Sequence, residues 1–202
     1  MTEPGLRARK KARTRAHIAA TAARLFGAKG YEHVAVRDVA RAAEVSEQTV
    51  YNYFPTKQHL ALDRREEFEE RSGRLVADRA PGISPAAALR QELAAEIALL
   101  RAQDPEQARG ELPALTQTSP YLRRLTLESR DRQADGIAVA LAATDNLAPA
   151  VAKAHAMALV WPFQMLVDEV GPRLLAGEHP ASIADELGPA MLAVLDDLDG
   201  RL

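Results

Sequence analysis

At 202 residues, 47% of them hydrophobic and 27% charged, the chain is long enough to bury a substantial core and has the make-up of a soluble globular protein. It has no cysteine, which excludes disulfides, thiolate metal sites and a cysteine nucleophile. The net charge of −2 hides a split: residues 1–60 hold 11 Lys and Arg against 5 Asp and Glu (+6), and the rest hold 15 against 23 (−8).

A basic head on an acidic body suits a polyanionic partner for the head alone. Aromatic residues are scarce at 4%, while Ala, Leu, Arg and Glu are plentiful, which favours helix over sheet. No period-two run is long enough for a sheet, so an all-α fold is expected. The basic N-terminus lacks a following apolar run, so no signal peptide is expected. The longest apolar stretch, around 156–167, is too short for a membrane span and contains Pro162 and Gln164. A cytoplasmic protein without membrane contact is the expectation.

In chain order, Arg7, Arg9, Lys10, Lys11, Arg13 and Arg15 form a basic arm running into a first helix, suited to DNA phosphates or a minor groove. That helix has Ile18, Ala22, Leu25 and Phe26 on one face, and Gly30 is its left-handed stop. Val36, Val39, Ala40 and Ala43 then mark one face of a short helix, and small Ala40 allows another helix to cross close to it. Val45 plugs the turn, and Ser46 is a good N-cap for a third helix that points Val50 and Phe54 inward. Glu47, Gln48, Thr49, Asn52 and Tyr53 are left facing out, with the donors and acceptors that base edges and phosphates need. Two short helices joined this way read as a helix-turn-helix.

Beyond Thr56 the pattern stays helical. Leu60, Leu62, Phe68 and Leu75 predict one long helix ending before Pro81-Gly82, the natural lever between head and body. Ser84-Pro85 is a capped start for a helix through Leu89, Leu93, Ile97 and Leu100, ending near Asp104-Pro105. Residues 105–118 read as a short helix or loop broken at Pro113. Ser119-Pro120 opens a long helix through Leu122, Leu125, Ile137 and Leu141, punctuated by Asn146 and Pro149. The next helix carries Val151, Met157, Val160 and Leu166, with a bend expected at Pro162 and an end or second bend at Gly171-Pro172. The last runs from Pro180 to about Leu198 through Ile183, Leu187, Met191, Val194 and Leu195.

The run Leu25-Phe26, Lys29-Gly30-Tyr31, Val36-Arg37-Asp38-Val39-Ala40, Val45-Ser46, Thr49-Val50-Tyr51-Asn52-Tyr53-Phe54-Pro55-Thr56-Lys57 and Leu60 resembles the N-terminal quarter of TetR-family transcriptional regulators. The resemblance covers roughly residues 10–62. It implies a DNA-binding head (1–56) and a helical effector-binding and dimerisation body (57–202). It further implies a homodimer acting on a palindromic operator, in which the last two long helices, about 148–176 and 180–199, build a four-helix bundle. By family habit a repressor is expected. The chain departs from the family pattern in two places. Val34-Ala35 stands where Thr-Thr is usual, removing the hydroxyl cap of the first motif helix, which Asp38 partly offsets through the helix dipole. Glu44 stands at the turn position usually held by Gly.

For double-stranded DNA, Gln48, Thr49 and Asn52 are the base-edge candidates, Tyr51 and Tyr53 reach phosphate or base, and Arg37 and Lys57 are phosphate candidates. For an unknown, largely apolar effector, Met157, Trp161, Phe163, Gln164 and Met165 are candidate pocket residues with Arg124, Glu128 or His155 as polar anchor. No cofactor and no metal is expected. The five histidines are scattered without ligand spacing, and neither a glycine-rich phosphate loop nor a nucleophile elbow occurs, which weighs against an enzyme. The open alternative is a helical protein-interaction adaptor that does not bind DNA.

Overall fold

Two hydrophobic clusters, not one, organise the chain. The computed structural model describes residues 5–62 and 65–199, the side chains of Leu6 and residues 65–67 excepted. Among these residues there are helices and no strand: α1 (Leu6–Lys29), a 3-10 turn (Tyr31–His33), α2 (Val36–Ala42), α3 (Glu47–Tyr53), α4 (Lys57–Ala61), α5 (Arg65–Ala77), α6 (Pro85–Ala102), α7 (Pro105–Ala108), α8 (Leu112–Thr118), α9 (Pro120–Thr144), α10 (Pro149–Leu175) and α11 (Pro180–Asp199). The expected all-α fold is the one found.

The head cluster gathers Ile18, Ala22 and Phe26 of α1 with Tyr31, Val34, Val39, Ala40, Ala43, Val50 and Phe54. Leu60, Ala61 and Leu62 close it from below. This docking corrects the expectation of one long helix from Thr56. α4 ends at Ala61, and Leu62 leaves helical geometry (φ −113°, ψ 32°) to bury its side chain in the head. α5 packs along α9 instead, so the chain changes partner between the two helices. A straight helix could not satisfy both surfaces.

The body cluster is built on Leu89, Leu93 and Ile97 of α6, Ile137 and Leu141 of α9, Leu159, Phe163 and Val170 of α10, and Ile183 and Leu195 of α11. The capped starts read from sequence are present. Ser84 accepts from the Ala87 N–H, and Ser119 from the Leu122 N–H, each followed by proline at the first helical position. Pro113 does not break the 105–118 region. It sits in the first turn of α8, where its missing N–H has no partner to lose.

α10 runs without interruption through Pro162 and Pro172 to Leu175. It is long and apolar enough to cross a membrane by length and composition, yet half of that window is buried inside the fold, as in the core helix of a globular protein. Val151 and Met157 of α10 are exposed, as is Val194 of α11.

Head and body meet at α7, α8 and the start of α9. Leu115 and Leu122 belong to the head cluster. Ser119 Oγ donates to Glu32 Oε1 at 2.7 Å, and the Gln58 amide meets the Tyr121 hydroxyl. At Gly110 the chain lies against the α1 backbone so closely that an added Cβ would collide with the Ala23 carbonyl. Only glycine permits that approach.

Candidate functional site

α3 projects its polar face from the head. Ser46 caps it, its Oγ accepting from the Thr49 N–H at 3.0 Å, as the sequence predicts. Val50 is the buried anchor, and Phe54, fully buried, ends the helix. Gln48, Tyr51 and Asn52 are exposed, while Thr49 and Tyr53 are half-buried. The Gln48 amide donates to Asn52 Oδ1 at 3.1 Å, one turn on, so the two amides are held as a pair. The Thr49 hydroxyl shares a 2.8 Å hydrogen bond with Ser46 Oγ, which ties it to the cap.

The helix pair is held by α1. Arg15 Nη1 donates to the Tyr53 carbonyl at 3.0 Å, its guanidinium 4.7 Å from the centre of the Phe54 ring. His17 Nε2 lies 3.2 Å from the carbonyl of Ala43, the residue that closes α2. Arg15, expected among the phosphate-reaching basic residues, is therefore a clamp on the end of α3. The basic segment is also not an extended arm, because residues 7–15 are helical within α1. A helix is too wide for a minor groove about 6 Å across, so the helical segment does not have the form of a minor-groove arm. Arg7, Lys10 and Lys11 line a shallow groove with Thr14 and Tyr53, which brings the basic face alongside α3. Thr14 was not singled out in the sequence, because only the fold sets it beside Tyr53.

Arg37 is exposed near the start of α2. Lys57 is half-buried, with Nζ 4.1 Å from the centre of the Tyr31 ring, and burial draws its pKa below the usual lysine range. It is thus part of the head's packing as well as a cation at its surface. Both departures from the family pattern have structural signatures. Ala35 offers no side-chain cap to α2, but Asp38 Oδ2 accepts from the Ala35 N–H at 2.9 Å. This bond, ahead of any nearby charge, holds the Asp38 carboxyl below its ordinary range. Glu44 occupies the left-handed region at φ 55°. Gly30 also has positive φ, 82°, but its ψ of 145° lies outside the left-handed helical cap expected.

Residues 18–63 match the family model described as bacterial regulatory proteins, tetR family. The N-terminal domain is a TetR-family domain. The TetR-family match is supported by the HTH-type transcriptional regulator TcmR of Streptomyces glaucescens, 46% identical over 59 residues, which are 29% of this chain and 26% of that protein. YuxN, an uncharacterised HTH-type transcriptional regulator of Bacillus subtilis, is 32% identical over 77 residues, 38% of this chain and 26% of its own length. The chain therefore matches about a quarter of the length of these relatives. The likeness of fold to solved structures extends over most of the chain. NalD, the secondary repressor of the MexAB-OprM multidrug efflux pump in Pseudomonas aeruginosa, superposes with a TM-score of 0.55 at 21% identity, covering 91% of this chain and 97% of that one. Salmonella enterica GusR gives 0.51 at 19% identity, covering 97% and 98%.

In the body, the eight candidate effector residues are not gathered into one enclosed pocket. Arg124 and Glu128 are exposed on α9 and face each other at 3.5 Å. Met157 and Trp161 are exposed on α10, and His155 is partly so. Phe163 and Gln164 are buried and Met165 partly buried, on the side of α10 that faces the core. Helical period puts Phe163 on the face opposite Trp161, while Gln164, seven residues after Met157, lies nearly in line with it yet is buried. The sequence reading missed Arg130. Its guanidinium lies 5.4 Å from the centre of the Phe68 ring and 5.8 Å from that of Phe163, and burial pushes its pKa down to about 10. The sequence signal was faint, one arginine among four on the same helix.

Proposed function

We propose that this chain is a cytoplasmic, ligand-responsive transcriptional repressor that binds a palindromic operator as a homodimer. The observation that carries this reading is the exposed amide pair Gln48–Asn52 on a capped, clamped α3, beside the basic face of α1. Such a pair is chemically suited to base edges, and the basic face to phosphates. Gln48, Thr49, Asn52 and Tyr51 are assigned to the major groove; Arg37, Lys57 and Tyr53 to the backbone. The division into a DNA-reading head and an effector-binding body, near residues 56 and 57, belongs to the same proposal. The name of NalD as a repressor supports repression here only by likeness of fold.

Dimerisation is supported by the outer face of α10, where Val151, Ala154, Met157 and Trp161 are exposed along one side. A contiguous apolar face of this kind is uncommon on a monomer. Two heads about 34–36 Å apart would read half-sites one helical turn apart. An effector that favours a different separation would release the operator, with a coupling of about 1–3 kcal/mol.

The test is selection of bound duplexes from a random pool by the purified full chain, followed by gel shift and sedimentation. A palindromic consensus bound by a dimer is expected. A protein that enriches no sequence supports the adaptor alternative instead, and a strict monomer sinks the two-headed mechanism.

A further inference from the structure

Between α5, α9 and α10 the body holds a partly buried cation without an ion-pair partner among the described residues. Arg130 Nε is sealed from solvent and has no hydrogen-bond acceptor. Its Nη1 donates to Gln133 Oε1 at 2.9 Å and its Nη2 to the Phe163 carbonyl at 3.3 Å, both neutral oxygens. The neighbouring acids are committed elsewhere. Glu69 is held by Arg132 at 3.0 Å and Asp168 by Arg123 at 2.9 Å, while Glu96 acts on Arg130 by charge rather than by a hydrogen bond. Gln133 is itself fixed, donating to Ser72 Oγ at 2.8 Å. One residue beyond Phe163, the buried Gln164 Oε1 has no donor.

A guanidinium has five N–H donors, of which two are used here. Burying a charge is unfavourable unless it is paired, and one side of this fork, including Nε, is unsatisfied. Nε and an adjacent Nη have the spacing that grips the two oxygens of a carboxylate. The walls are apolar: Phe68 and Phe163 stand edge to face at 5.3 Å, both on one side of the cation. Such walls favour an organic anion over an inorganic one.

We propose that Arg130 anchors the carboxylate of a small organic acid, whose apolar part inserts between Phe68 and Phe163. This rests on the regulator reading and names the chemical class of its effector. Because the two rings are in contact, the acid enters by parting α5 from α10, and binding is thereby coupled to the spacing of body helices.

Octanoate and 4-phenylbutyrate, each against its primary amide, would be titrated into the full chain by calorimetry and thermal shift, with the selected operator in a parallel gel shift. The acids are expected to bind and to weaken the operator complex about tenfold or more, and the amides to do neither. Arg130→Met should keep its operator binding and unfold no earlier than the parent, since it removes an unpaired buried charge, yet lose acid binding by about tenfold or more. A structural arginine would show the reverse, an early-unfolding variant with acid binding intact. If Arg130→Met does not fold, Arg130→Lys serves: it keeps the charge, loses the fork and should still bind the acids more weakly. Amides equal to acids, no binding of either acid, or unchanged acid binding in the folded variant overturns the proposal. Failure of the parent protein to bind any DNA would overturn the regulator reading alone, because calorimetry judges the acid site independently.

Discussion

Arg15 and Tyr53, 38 positions apart, are joined by a 3.0 Å hydrogen bond from the arginine Nη1 to the tyrosine carbonyl at the end of α3. A cation at a helix C-terminus is favourable to the helix dipole, and here the same guanidinium stacks on Phe54. The contact ties the end of α3 to α1, so under the proposed function Arg15 is expected to act on DNA binding by positioning α3.

Arg15→Ala should therefore cost about 1.5–3 kcal/mol of head stability, the range for a hydrogen bond from a charged donor. Operator binding should weaken by a similar factor on every sequence. Urea unfolding and gel shifts on a set of operator variants measure the two; a change in base preference would contradict the positioning role.

Asn52→Ala and Lys10→Ala should fail differently. Asn52→Ala is expected to relax preference at one operator position by about 1–3 kcal/mol, with the salt dependence unchanged. Lys10→Ala should weaken all sequences alike and shallow the salt slope by about one unit. Binding isotherms at several salt concentrations separate them. Lys57→Ala is expected to act as Lys10→Ala does and also to destabilise the head, because its ammonium packs on Tyr31.

Two substitutions should stabilise the head. Glu44→Gly relieves a left-handed backbone at φ 55°, worth about 1–2 kcal/mol. Ala35→Thr supplies the missing N-cap hydroxyl of α2, worth about 0.5–2 kcal/mol. Thermal unfolding of each single variant is the measurement, and a lowered midpoint for Glu44→Gly would refute the strain.

Asp38 makes the head sensitive to acid. Its folded-state pKa lies below its ordinary value because the ionised carboxylate accepts from the Ala35 N–H. A depressed carboxylate contributes stability that is fully present above the unfolded pKa, about 3.9, and is lost as pH falls through the lower folded value. Asp38→Asn should consequently be less stable than the parent at neutral pH, with the gap closing only in that acid range. Unfolding midpoints across pH 2–7 (roughly the span of carboxylate titration) would show the convergence; a constant gap would contradict it.

Gly110→Ala should disturb communication between head and body. Its Cβ would strike the Ala23 carbonyl, so α7 must move away from α1. The expected result is operator binding that persists while its response to effector weakens. Comparing the effector effect on the gel shift in parent and variant measures this, and an unchanged response would place the coupling elsewhere.

The sequence by itself determined the helical fold class and the local chemistry of the head. Ser46, Val50 and Phe54 carry their roles in their own spacing, and the serine–proline starts at 84 and 119 are signals within one turn. Short-range patterns of this kind survive into the fold because a cap or an inward face involves residues three or four apart. Tertiary structure alone decided where α4 stops, that the basic segment is helical, and that Arg15 is a clamp. It also set Val151, Met157 and Trp161 outside while bringing Arg130 against two rings from different helices. Those outcomes depend on which helix lies against which, a competition among similar apolar faces that no single stretch of sequence contains.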